Sequence, residues 1–202
     1  MPSELSTAIC KHQAAFDLEL SPESLTLLDS YYELLLEHNP ILHLTGPMDA
    51  EEFAIRHILE SLTLLKHLPE KARFADIGSG GGLPAIPCLL VRGDLMAVLI
   101  ESKEKKANFL KLAVEKLRLT ARTMIVARQF QEAEPANCSF ITCRALDKFT
   151  EKLDRLLKWS MRRQVLLFGG PNLRQALQKA KVNFDEALMP MSEQRYLIVL
   201  RN

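Results

Sequence analysis

Two rhythms of apolar residues divide the chain. Up to about residue 70, apolar positions recur at three- and four-residue steps, as on one face of a helix. Leu25, Leu28, Tyr32, Leu35 and Leu36 keep this step behind Ser21, a good N-cap, with Pro22 in the first turn. Asn39-Pro40 predicts the end of that helix, because the residue before a proline is pushed out of the helical region. A second helix is predicted from Asp49, with Glu52 as the return half of a capping box. Its buried stripe is Phe53, Leu59, Leu62 and Leu65, and Pro69 stops it.

Beyond residue 70 short apolar runs alternate with amphipathic segments. Residues 73–77, 95–100, 123–127, 139–143 and 164–168 read as buried strands, and 84–91, 104–117, 147–159 and 172–181 as the helices between them. In 104–117 the inward stripe is Phe109, Leu110, Ala113 and Leu117, which leaves Lys105, Lys106, Lys111 and Lys116 in water. Residues 184–189 and 196–200 predict a closing antiparallel hairpin. The expectation is an α/β fold: a doubly wound, mostly parallel sheet of about seven strands, with a helical extension over residues 1–70 packed on a core of residues 71–202. Such sheets bind ligands where the strand order reverses, at the strands' carboxyl ends.

With 202 residues, 48% apolar and 25% charged, the chain suits one core with a small appendage and does not read as disordered. No run approaches the roughly 18 apolar residues of a membrane span, and Glu4, Lys11 and His12 interrupt any leader-like stretch. Cys10, Cys88, Cys138 and Cys143 form no close pairs, so reduced thiols and a cytoplasmic location are expected, with Cys88 and Cys143 as core residues. Net charge is +1, yet residues 1–101 hold 6 Lys and Arg against 15 Asp and Glu, and residues 102–202 hold 20 against 10. That basic later half can form either solvated helix faces or a patch attracting polyanions.

The chemistry concentrates after the first strand, in Asp76-Ile77-Gly78-Ser79-Gly80-Gly81-Gly82-Leu83-Pro84. Half of the eight glycines lie here, at a strand-to-helix turn where they permit positive φ and close approach of a ligand to the backbone. Glu101 follows at about 20 residues, where this fold places a carboxylate for ribose hydroxyls. Together they indicate a nucleoside-containing cofactor. A dinucleotide fingerprint lacks its third glycine, since Leu83-Pro84 stands there, and a Walker Gly-Lys-Ser/Thr is absent. The order D-x-G-x-G-x-G resembles the first motif of S-adenosylmethionine-dependent methyltransferases.

A closer resemblance runs over residues 44–145. His43-Leu44-Thr45, Arg56-His57-Ile58-Leu59-Glu60-Ser61, the loop Asp76 to Pro87, Glu101 to Lys106 with Phe109-Leu110, Arg128, and Cys143-Arg144-Ala145 follow one another as in the RsmG (GidB) family. That resemblance implies a class I methyltransferase-like fold, with residues 71–202 as an S-adenosylmethionine-binding Rossmann-like catalytic domain. The implied reaction is methylation of guanine N7 in 16S ribosomal RNA, free or in an immature small subunit. By the same resemblance Gly78, Gly80 and Leu83 line the cofactor loop, Glu101 and Ser102 meet the ribose, and Gln129 and Phe130 flank the adenine. Arg144 stands beside the cofactor on the substrate side. Arg56, Lys105, Lys106 and Arg128 are the candidate RNA contacts. Some positions differ from the family's usual residues: His43 replaces Asn, Ala85 replaces Gly, Phe130 replaces an acid, and Phe168-Gly169-Gly170 replaces Leu-Lys-Gly.

Guanine N7 carries an in-plane lone pair and no proton, so transfer to it needs no general base. No catalytic acid, base or nucleophile is expected, only positioning, which supplies on the order of 7–11 kcal/mol at best. His57 reads as a packing residue more readily than a base, and Arg144 is the stronger functional candidate. No metal and no membrane partner are expected, and a monomer is. The competing readings are a methyltransferase with a protein or small-molecule acceptor, and a cofactor-responsive binding protein without catalysis.

Overall fold

The computed structural model describes residues 2–134, 137–144 and 149–201. Seven strands form one sheet in the order β3-β2-β1-β4-β5-β7-β6. They are β1 (Arg73–Ile77), β2 (Met96–Ile100), β3 (Thr123–Val126), β4 (Phe140–Arg144), β5 (Gln164–Gly169), β6 (Phe184–Leu188) and β7 (Tyr196–Leu200). The first five are parallel, while β7 runs antiparallel between β5 and β6. The predicted hairpin forms, with β7 inserted and β6 at the edge. Composition explains the order: β7 is Tyr-Leu-Ile-Val-Leu, fit for burial on both faces, and four of the five residues of β6 are exposed.

Alternate residues of each parallel strand face opposite layers. Phe74, Leu99, Leu166 and Phe168 join one core; Ala75, Ile77, Ile100, Val165 and Leu167 join the other. The second core is closed by α7 (Phe149–Ser160) and α8 (Pro171–Lys179) through Leu153, Leu156, Leu173 and Leu177. The first is closed by α5 (Ala85–Val91), α6 (Glu104–Lys116) and the N-terminal helices. Those are α1 (Glu4–His12), α2 (Pro22–Leu42), α3 (Ala50–Phe53) and α4 (Glu60–Leu62), the last two joined by a π turn, Ala54–Leu59. Ser3 and Ser6 both donate to the Asp29 carboxylate, which fixes α1 on α2.

Three local expectations are corrected. α2 does not stop at Asn39 but runs through Pro40 to Leu42, because Asn39 itself builds the C-cap. Its carbonyl accepts from the His43 N–H, and its Oδ1 accepts from the N–H groups of Leu44 and Thr45 at 2.8 and 2.9 Å. His43 takes the left-handed conformation there, φ 48°, one that Asn and His tolerate better than most residues. The buried stripe of α2 passes through Tyr31, and Leu36 is exposed. Asp49 caps α3 by accepting from the Glu52 N–H, yet the Glu52 side chain pairs with Arg56 instead of returning to the cap.

Candidate functional site

The strand order reverses between β1 and β4, and a cleft of about 410 Å³ opens at their carboxyl ends. One wall is the turn from Gly78 to Leu83, the other Glu101 and Ser102 past β2. A smaller chamber of about 150 Å³ continues past β3, between Ile77 and Ile100 on one side and Arg128, Gln129 and Phe130 on the other. Gly78, Ser102 and Lys152 border both.

The glycines shape the turn for distinct reasons. Gly78, Gly80 and Gly82 take φ of 69°, 54° and 94°, which side-chain-bearing residues rarely adopt. A Cβ on Gly82 would stand 2.3 Å from Ile86 Cδ1, so its hydrogen lets α5 pack against the turn. A Cβ on Gly80 would meet only the Gly78 carbonyl, at 3.7 Å. From behind, the buried Tyr31 hydroxyl donates to the Gly81 carbonyl at 2.8 Å. The N-terminal helices therefore hold the turn directly.

Glu101 is buried, with each carboxylate oxygen anchored by a backbone amide: Gly80 N–H at 2.9 Å and Lys103 N–H at 2.7 Å. Each oxygen keeps acceptor capacity for a hydroxyl pair, the fit a ribose demands. Beneath the turn, Asp76 accepts from the Thr142 hydroxyl at 2.8 Å, while its Oδ2 has no partner among the described residues. Burial is the main cause that pushes its carboxyl up to about 7. Asp76 borders neither chamber and supports the glycine turn from below.

Arg144 lines the cleft but is already held. Its Nη2 donates to the Arg56 carbonyl and to Glu60 Oε2 at 3.2 Å, its Nη1 to the Ser61 hydroxyl at 3.4 Å, and its guanidinium lies over the Phe168 ring. The segment 56–61 thus packs around Arg144 as one unit, with Phe168 as its floor. His57 also borders the cleft; neither ring nitrogen has a partner among the described residues, and burial followed by the nearby Arg144 charge pushes its pKa down to about 3.

Of the expected cofactor residues, Gly78, Gly80, Leu83, Glu101, Ser102 and Arg144 border the larger cavity, and Gln129 and Phe130 the smaller. Lys106 borders the larger and Arg128 the smaller. Lys105 is exposed on α6 and lines neither, and Arg56 lines a separate cavity of about 300 Å³ with Glu52 and Arg195. Ala145 of the Cys-Arg-Ala segment and the start of the 147–159 helix lie outside the described residues. Sequence reading missed Lys152, a surface residue by its helical spacing, and carried Glu60 only as part of the 56–61 motif, without the buried ion pair that Arg144 and Arg195 give it. Among the described residues no helix is long and apolar enough to cross a membrane.

Comparison with known proteins agrees with this architecture. Solved structures of the tRNA methyltransferase TrmK share the fold. That of B. subtilis is 21% identical with a TM-score of 0.54 over 69% of this chain and 64% of that one. That of M. capricolum, in complex with S-adenosyl-homocysteine, is 18% identical with a TM-score of 0.53 over 70% and 66%. Curated proteins named ribosomal RNA small subunit methyltransferase G are nearer in sequence. The Gluconobacter oxydans protein is 34% identical over 83% of this chain and 82% of its own. The Acinetobacter baumannii protein is 30% identical over 91% of each, and the Chromobacterium violaceum protein 36% over 71% and 70%. The family described as GidB, rRNA small subunit methyltransferase G, matches residues 24–190, and the chain belongs to it.

Proposed function

We propose that the protein transfers a methyl group from S-adenosylmethionine to N7 of a guanine in the 16S RNA of the small ribosomal subunit. The observation that carries this is the pairing of a glycine-rich turn, Gly78 to Gly82, with an anchored acid, Glu101, in a cleft at the strands' carboxyl ends where the strand order reverses. Bound there, S-adenosylmethionine offers a sulfonium-borne methyl carbon to an in-plane lone pair. The turn receives the methionine tail over Asp76, Glu101 takes the ribose hydroxyls, and Gln129 and Phe130 border the chamber for the adenine. Burial and the nearby Arg144 charge make His57 a weak base, which suits an acceptor atom that has no proton to lose. Rate then comes from alignment and from carboxylate and carbonyl dipoles facing the moving positive charge. Residues 1–70 serve as a helical extension of the catalytic domain at 71–202, a division supported by their packing on one sheet face and by the bond from Tyr31 to the turn.

The test is transfer to small subunits from cells lacking the protein, followed by mass mapping of the RNA. One added methyl at one guanine, sensitive to borohydride and aniline cleavage as N7-methylguanine is, is the expected result. A methyl on another atom, or on protein, overturns it.

A further inference from the structure

At the seam between the two chambers stands a lysine from α7. Lys152 borders the larger cavity beside Gly78 and Ser102, and the smaller one beside the same two residues. It is half-buried, and among the described residues no acid or carbonyl partners its ammonium. Its neighbours in the larger cavity are differently engaged: Lys106 Nζ donates to the His43 carbonyl at 3.0 Å, and Arg144 is held by Glu60, Ser61 and the Arg56 carbonyl. The end of β5 offers no cation either. A Cβ on Gly169 would stand 2.3 Å from Leu173 Cδ2, so a side chain has no room there.

The cofactor is a poor counter-ion for this lysine. In the placement above, the ribose, which is neutral, crosses the seam at Gly78 and Ser102, and the methionine carboxylate lies along the glycine turn. S-adenosylmethionine also carries a net positive charge, so a cation at the seam repels it weakly across the cleft. A phosphodiester arriving with the acceptor strand supplies the missing charge.

We propose that Lys152 is a phosphate contact for the acceptor RNA, seating the strand over the junction of the two chambers without binding the cofactor. This rests on RNA being the acceptor. Lysine suits the task as a mobile point charge that follows a backbone without reading sequence.

The experiment compares wild type, K152M and K152R. Binding of an unmodified 16S RNA transcript is measured across a salt series, and S-adenosylmethionine binding by calorimetry without RNA. For K152M, the slope of log K against log salt falls in magnitude by about 0.7–0.9, RNA binding at low salt weakens about tenfold, and K152R restores both. Cofactor affinity stays within about twofold of wild type or tightens, which also shows that the variant is folded. An unchanged salt slope, or a tenfold loss of cofactor affinity in K152M, overturns the proposal. Failure of the RNA reading shows separately, as a wild-type protein that transfers no methyl group to unmodified small subunits.

Discussion

Glu60 Oε2 lies 3.2 Å from Arg144 Nη2, across 84 positions of sequence, while Glu60 Oε1 accepts from Arg195 Nε at 2.6 Å. Glu60 is 1% exposed, so its carboxylate balances the buried Arg144 guanidinium in the interior and, at the rim, holds the partly exposed Arg195. E60L strands the buried Arg144 and is expected to lower unfolding free energy by about 3–5 kcal/mol in urea titrations. Adding R144M recovers part of that loss, because the pair is then replaced by apolar volume. A loss below about 1 kcal/mol for E60L would show the cluster to be incidental.

Asp76 and His57 make opposing contributions to pH dependence. Asp76 is raised from 3.8 to about 7, so between those values the folded state holds a proton the unfolded chain has lost, and stability falls as pH rises. His57 is lowered from 6.5 to about 3, so the unfolded chain holds the extra proton there, and stability rises with pH. Each slope is about 1.4 kcal/mol per pH unit, and between pH 3.8 and 6.5 the two cancel. D76N is expected to uncover the rise and H57Q the fall. Denaturant titrations from pH 4.5 to 6.5 measure both, and parallel profiles for the two variants would refute the assignment.

Much of this was legible in the sequence, for reasons that also explain the errors. The strands at 73–77 and 196–200 match their predicted bounds: the second is an unbroken apolar run, and the first carries Phe74, Ala75 and Ile77 up to the glycine turn that ends it. The glycine turn was legible because its demand for positive φ restricts residue choice. Pro40 misled, since the rescue by Asn39 depends on a side chain folding back onto the chain beyond it. Glu60 and Lys152 were illegible by periodicity: one is a charge where the pattern wants an apolar residue, the other a charge where the pattern wants nothing special. Only the three-dimensional neighbours give either a meaning.

Gly80 and Gly82 separate conformational from steric demand. G80A keeps an open Cβ site and carries mainly the positive-φ penalty, about 1–2 kcal/mol. G82A adds a clash with the fully buried Ile86, and its loss of stability is expected to exceed that of G80A by at least about 1 kcal/mol. Thermal melts of the two variants, run side by side, decide the order; equal losses would mean that Ile86 moves aside freely.

Y31F removes the buried donor to Gly81. The expected cost is about 1 kcal/mol of stability, together with weaker S-adenosylmethionine binding by calorimetry, since an unsatisfied carbonyl lets the turn shift. Unchanged cofactor affinity would show that the turn holds its shape without the phenol.

That phenol belongs to a helix 50 residues upstream of the carbonyl it steadies. The leading segment is therefore unlike a detachable recognition arm that could be trimmed to a minimal enzyme or exchanged between relatives to redirect their targets. Any chimera that imports a foreign front end must bring its own brace for the loop, or lose grip on the methyl donor before a new target is ever met.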